Sequence, residues 1–174
     1  MAMDMESKSS GDRPVVSVYP DAADRRGKAS IICGVDSNAA DAFAVTRVAA
    51  DLAARLKLPL TLVHVVHILD KLESDVDNAL DAGLTSEGWR ALFLMRRILE
   101  EVGDTIDAQT VIRRGRPPDE LVAVAHERDA ALIVVGCRAR GNLRTLLEGS
   151  VWLKLSRKTP RPVVIVPLRT DCDD

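Results

Sequence analysis

The chain has 174 residues, 47% of them hydrophobic and 29% charged, a balance that suits one compact domain with a sizeable core. Its 24 basic and 26 acidic side chains leave a formal net charge of -2, so no overall field draws it to nucleic acid or an anionic membrane, and any anion site must be local. Three cysteines, Cys33, Cys137 and Cys172, form no CxxC pair; with no secretory h-region and no apolar run of about 18 residues, they predict a soluble cytoplasmic protein with free thiols.

Residues 1–28 are rich in Ser, Asp, Lys, Arg and Gly and predict a mobile N-terminal arm, in which only VVSVYP can form local structure. From Ala29, ASIICGVD reads as a buried strand closed by Asp36, and SNAAD as the loop that starts a helix. Val45, Val48, Ala49, Leu52 and Leu56 then recur at helical spacing, with Arg47, Asp51 and Arg55 on the opposite face. LPLTLVHVV is a second strand, bounded by Pro59, whose β-branched residues on both faces predict a sheet covered on both sides.

The acidic stretch from His67 to Gly88 is an irregular connection with room for a short helix. SEGWRALFLMRRILEEVG resumes helical periodicity through Trp89, Leu92, Met95, Leu99 and Val102 and stops at Gly103. Trp89 and Phe93 are expected in its core face. IDAQTVIRRG is a third strand, and RPPDELVAVAHERD a helix with proline and two acids in its first turn, where the macrodipole favours them. AALIVVG is a fourth, fully buried strand, SVWLKLSRK a helix, and VVIV, fenced by Pro160, Pro162 and Pro167, a fifth strand. Residues 169–174 form an acidic tail.

This alternation predicts an α/β fold: right-handed crossovers and an open parallel sheet with helices on both faces. Ligands on such sheets bind beyond the carboxyl ends of the strands, where strand order reverses. Asp36 and Gly136 stand at such ends. In the loop GCRARGNLRTLLEGS, a glycine directly after a strand lets backbone approach a ligand, and Ser150, opening a helix after Gly149, leaves N–H groups free for an anion. Arg138, Arg140 and Arg144 add positive charge suited to phosphate oxygens. A plain reading fits the same residues: Gly136 eases a turn, Ser150 caps a helix and the arginines face water. A Walker A loop would need Lys and Ser or Thr where Asn142 and Leu143 stand, and a dinucleotide fingerprint would need glycine at Arg138.

His64 and His67 lie three apart on a strand, point to opposite faces and share no metal; with His126 they read as structural or surface groups. DVDNALDAGLTS has the acid density of a calcium loop but puts Leu80 and Ser86 where an EF-hand needs glycine and glutamate. Cys137, beside Gly136 and the arginines, is a candidate oxidant sensor or an inert small residue. No nucleophile, base and orienter set stands out, so no catalytic residue is assigned.

Together SIICGVDSNAADAF, LTLVHVV, VIRRGRPPDEL and DAALIVVGCRARGNLRTLLEGSVWLKLSRKTPRPVVIVP resemble a universal stress protein domain from Ser30 to Pro167, the stretch from His67 to Gly88 excepted. Nucleotide-binding members of that family share a glycine, two residues, a glycine, nine residues, then glycine and serine or threonine. Here Gly136, Ala139, Gly149 and Ser150 keep the spacing, with alanine in place of the second glycine. If that position needs positive φ, the extra Cβ costs about 1 kcal/mol.

The resemblance implies an adenine-nucleotide alpha-hydrolase-like fold, an open five-stranded parallel sheet in the order 3-2-1-4-5, with ATP, with or without Mg²⁺, across the first and fourth strands. Asp36 would meet the ribose or adenine and Val65 would offer its backbone to the adenine. Gly136 and Ala139 would line the phosphates beside Arg138, and Gly149, Ser150 and Val151 would hold them from the helix start. It also implies a homodimer paired through the fifth strand, Val163 to Val166, whose exposed edge invites a second copy. The function implied is a stress-response regulator that responds to nucleotide occupancy, with slow hydrolysis at most. Two alternatives stand beside it. One is a nucleotide-free dimeric scaffold. The other is an adenylating enzyme, because CGVDS shares Gly34, Asp36 and Ser37 with the ATP pyrophosphatase loop while lacking its first serine and glycine.

Overall fold

The computed structural model describes residues 16–17, 29–67, 86–102, 106–138 and 151–168. Its elements are β1 (Val16–Ser17), β2 (Ile31–Gly34), α1 (Ala39–Leu56), β3 (Leu60–His67), α2 (Ser86–Val102), β4 (Ala108–Gly115), α3 (Pro117–Glu127), β5 (Leu132–Arg138), α4 (Val151–Lys158) and β6 (Val163–Leu168). The expectations for the rest of the N-terminal arm, most of the acidic connection, Gly103, Cys172 and the C-terminal tail fall outside the described residues.

The sheet runs β1-β4-β3-β2-β5-β6. Its five parallel strands keep the order expected of them, third, second, first, fourth and fifth of the predicted set. A sixth strand was not anticipated: β1, from within VVSVYP, pairs antiparallel with β4, setting Val16 opposite Ile112 and Ser17 opposite Val111. It covers part of an edge that would otherwise leave backbone groups unpaired.

Alternation along the strands splits the core into two layers. Ile31, Cys33, Leu60, Leu62 and Val134 pack with Val45, Ala49, Met95 and Ile98 of α1 and α2. Ile32, Val63, Val111, Ile133 and Val135 pack with Leu121, Val124 and Leu155 of α3 and α4. Burial on both faces explains why the strands read as unbroken apolar runs. Each fully buried Ile or Leu contributes about 1.5–3 kcal/mol relative to an exposed one.

α1 begins at Asn38, whose side chain accepts from the Asp41 amide, and ends at Lys57 in the left-handed conformation, φ 54°. Ala42, Ala49, Ala50 and Ala53 bring the helix close to the sheet. Leu56 was expected on this face but is 50% exposed; it sits in the last turn, where the chain already swings away through Lys57. In α2 the expectation for the aromatic pair fails more clearly, since Trp89 is 50% and Phe93 63% exposed. The face that packs inward is Gly88, Ala91, Leu92, Met95 and Ile98. At about 3.6 residues per turn Trp89 lies about 120° and Phe93 about 160° around the helix from Met95, so the pair falls off the inward stripe.

Two strands run further than their sequence boundaries suggested. β5 continues past Gly136 to Arg138, and β6 continues through Pro167 to Leu168, with Cys137 opposite Pro167 and Arg138 opposite Leu168. Proline is tolerated there because β6 is an edge strand, where no further neighbour needs its missing N–H.

Candidate functional site

From β2 the chain steps outward to β3 and β4, then returns to the other side of β2 as β5. Strand order therefore reverses between β2 and β5, the place where such sheets open a crevice. A cleft of about 680 Å³ lies there, walled by the carboxyl ends of β2, β3 and β5 and by the opening turns of the four described helices. Its size falls within the roughly 300–1,000 Å³ typical of small-molecule sites.

The turn after β2 forms one wall. The Val35 amide donates to Val63 O at 2.9 Å, and Asp36 folds over the next residue, its Oδ1 accepting from the Ser37 amide at 2.6 Å and the Ser37 hydroxyl at 3.2 Å. Behind it, His64 Nδ1 lies 2.9 Å from Val35 O. A carbonyl only accepts, so this nitrogen bears the proton. His64 is 4% exposed, and among the described residues its Nε2 has no hydrogen-bond partner, with Glu87 Oε1 at 3.8 Å. His67 is exposed at the cleft rim, and Val65 lies in the layer under α3 and α4.

Gly136 has a packing reason to lack a side chain, beside the ligand approach expected of it. It lies inside β5, and a Cβ there would come within 2.6 Å of Leu168 Cδ1 and 2.9 Å of Val45 Cγ2. Glycine at this position lets α1 and β6 close onto β5. Gly34 does the same on the other face, where a Cβ would meet Leu121 Cδ1 and Val135 Cγ1, each at 3.2 Å.

Arg138 is partly exposed but does not stand free for an anion. Its guanidinium pairs with Asp41 through Nε and Nη2, and Asp41 is itself set in the first turn of α1 by the Asn38 side chain. Among the described residues of the wall Arg138 is the only lysine or arginine, and the acids of that wall are Asp36, Asp41 and Glu87. Cys137 is half-buried and lines the cleft, as do Val151 and Trp152. The other described thiol, Cys33, lies in the core, where burial pushes it up to about 12 against the opposing effect of the Thr46 hydroxyl.

Of the residues singled out in the sequence, Asp36, Val65, Gly136, Arg138 and Val151 all line this one cleft. Ala139, Gly149 and Ser150 lie outside the described residues. His64, Glu87, Pro117 and Trp152 also line it and were missed as site residues. Glu87 and Pro117 each open a helix that follows a strand, a position the switch-point rule already marks. Among the described residues no group of three or more His, Cys, Asp or Glu is placed to hold a metal, and no helix is long and apolar enough to cross a membrane.

A doubly wound α/β domain with its cleft at the switch point is the class that fold and site define. Within it the Universal stress protein family model matches residues 29–167, and the chain belongs to that family. It is 30% identical over 98 residues to Universal stress protein MJ0577 of Methanocaldococcus jannaschii, covering 56% of this chain and 59% of that protein. With Universal stress protein YxiE of Bacillus subtilis it shares 31% over 100 residues, 58% of this chain and 61% of the other. The chain thus spans less than two thirds of the curated relatives it matches. A universal stress protein from Archaeoglobus fulgidus superposes with a TM-score of 0.61 at 26% identity, covering 79% of this chain and 97% of that one. Two further structures share the fold. One is the Archaeoglobus fulgidus protein in complex with dAMP, at TM-score 0.52 and 24% identity over 79% of this chain and 96% of that one. The other is a universal stress protein in complex with cAMP, at TM-score 0.58 and 21% identity over 80% and 97%. The fold is the adenine-nucleotide alpha-hydrolase-like one, as the sequence led us to expect.

Proposed function

We propose that the cleft takes an adenine nucleotide, ATP with or without Mg²⁺ in the first instance, and that occupancy alters the conformation or partner contacts of a stress-response regulator. One observation carries this reading: Asp36, Val65, Gly136, Arg138 and Val151, from β3, β5, α4 and the turn after β2, converge on one cleft of about 680 Å³. The dAMP and cAMP complexes of proteins with this fold support it. So does Trp152 Nε1, a buried donor on the same wall with no partner among the described residues, because buried donors are normally satisfied.

In this reading the Asp36 carboxylate accepts from ribose hydroxyls and the Val65 backbone meets the adenine edge. The phosphates run toward Gly136, Ala139, Gly149, Ser150 and Val151, where amides at a helix start favour an anion. Arg138 reaches them only by leaving Asp41.

Titration calorimetry with ATP, ADP and AMP, with and without Mg²⁺, tests the reading. Wild type is expected to bind, and Asp36→Ala and Ser150→Ala to weaken binding about tenfold each, the scale of one lost charge-assisted hydrogen bond. Absence of binding by wild type at millimolar nucleotide overturns it. The Asp41 pairing of Arg138 favours a second reading, a nucleotide-free dimeric scaffold; if Ala139→Gly and Asp41→Asn both leave a non-binding chain unable to bind, that reading stands.

A further inference from the structure

We propose that His64 is a positioning residue for the cleft: it holds the Val35 carbonyl and thereby sets Asp36 opposite Val65. The inference rests on the nucleotide reading for its functional consequence and on the geometry of the β2 end for its structural one.

The parallel ladder between β2 and β3 ends with Gly34 opposite Val63. Val35 lies beyond it, only 7% exposed, and its amide is still satisfied by Val63 O at 2.9 Å. Its carbonyl has no strand partner, and a buried carbonyl left unpaired at this point would favour a different turn. His64 Nδ1 supplies the missing donor at 2.9 Å. Both backbone groups of Val35 are thus held by consecutive residues of β3, and the next residue on each strand is a cleft residue, Asp36 on one and Val65 on the other. The imidazole is what ties the two together.

The ring is well placed for this. It is 96% shielded by its surroundings, being 4% exposed, and the first turn of α2 approaches its far side, where Glu87 Oε1 lies 3.8 Å from Nε2. Glu87 also lines the cleft. A leucine of similar bulk would fill the space but could not donate.

Amide side chains separate donation from packing. The amide nitrogen of asparagine falls near the Nδ1 position of histidine, and that of glutamine near Nε2. The experiment compares His64→Asn, His64→Gln and His64→Leu in the full chain, with thermal melting to confirm folding, by calorimetric affinity for AMP and by hydrogen exchange of the Ser37 amide without ligand. That amide is bonded to Asp36 Oδ1 at 2.6 Å and reports the turn. His64→Asn is expected to bind within a factor of about three of wild type, and His64→Gln and His64→Leu about tenfold more weakly, the scale of one unmade hydrogen bond. Ser37 exchange should follow the same ranking. Equal affinity and exchange in all folded variants, or His64→Asn as impaired as His64→Gln, overturns the proposal, and this pair decides it even if the leucine variant does not fold. If wild type binds no adenine nucleotide, the nucleotide reading fails while Ser37 exchange still decides the positioning role.

Discussion

Burial takes the Cys33 thiol from an ordinary value of 9.0 up to about 12, and the sign of its effect on stability follows. Between those two values the unfolded chain ionises its thiol while the folded chain keeps the proton, so the unfolded state binds fewer protons and stability falls as pH rises. This contribution is fully present below 9.0 and lost progressively as pH climbs toward about 12. Urea denaturation on either side of pH 9.0 should show wild type losing more stability than Cys33→Ala, whose smaller side chain subtracts a pH-independent amount; parallel losses would refute it. At the same scale, Gly136 and Arg138 show what a motif leaves open. Both line the one cleft, while the glycine also serves the packing of Val45 and Leu168 against β5 and the arginine is held by Asp41. Neither partner is near in sequence, so neither role could be read from the loop itself.

Helix α2 shows how local periodicity can find the inward face and still misplace residues at its margin: Leu92, Met95, Leu99 and Val102 pack inward, but the aromatic pair does not. Its inward stripe includes Gly88 and Ala91, small residues that a search for large apolar side chains passes over. Trp89 and Phe93 pack against each other instead, ring centroids 6.3 Å apart and tilted by 34°. The double variant Trp89→Gln, Phe93→Gln should therefore change unfolding free energy by no more than about 1 kcal/mol, whereas Met95→Ala, at a fully buried position, should cost about 2–5 kcal/mol. Chemical denaturation of the two variants side by side checks the ranking, and a larger loss from the aromatic pair would place these rings in the core after all. The strand ends err in the other direction. β5 and β6 outrun their predicted limits together, since Arg138 and Leu168 extend each other's ladder, and a ladder is a property of two segments.

For the whole molecule, the β6 edge bears on assembly. Ile165 is 41% exposed on this strand, and Val163 and Val164 are only partly buried. A homodimer formed through Val163 to Val166 would pair the open edge and cover these side chains. Sizing by light scattering at micromolar concentration should return twice the monomer mass for wild type and the monomer mass for Ile165→Lys with an unchanged circular dichroism spectrum. A monomeric wild type defeats this proposal. The opposite edge is already partly occupied by β1, which pairs with β4.

The alternation of strand and helix, the fully covered sheet and the family were all legible in the chain alone, because they rest on local periodicity and on a crossover handedness that hardly varies. Asp36 and Gly136 could be nominated from their place at strand ends and Arg138 from its charge beside them, whereas Val65 and Val151 came only from the family resemblance. What those residues touch was decided only in three dimensions. Arg138 and Asp41 are 97 positions apart, and His64 and Val35 are 29 apart. Such pairs form when β3, β5 and α1 meet at the top of the sheet, and hydrogen bonds and ion pairs depend on tenths of an ångström between segments that the sequence lists far from one another.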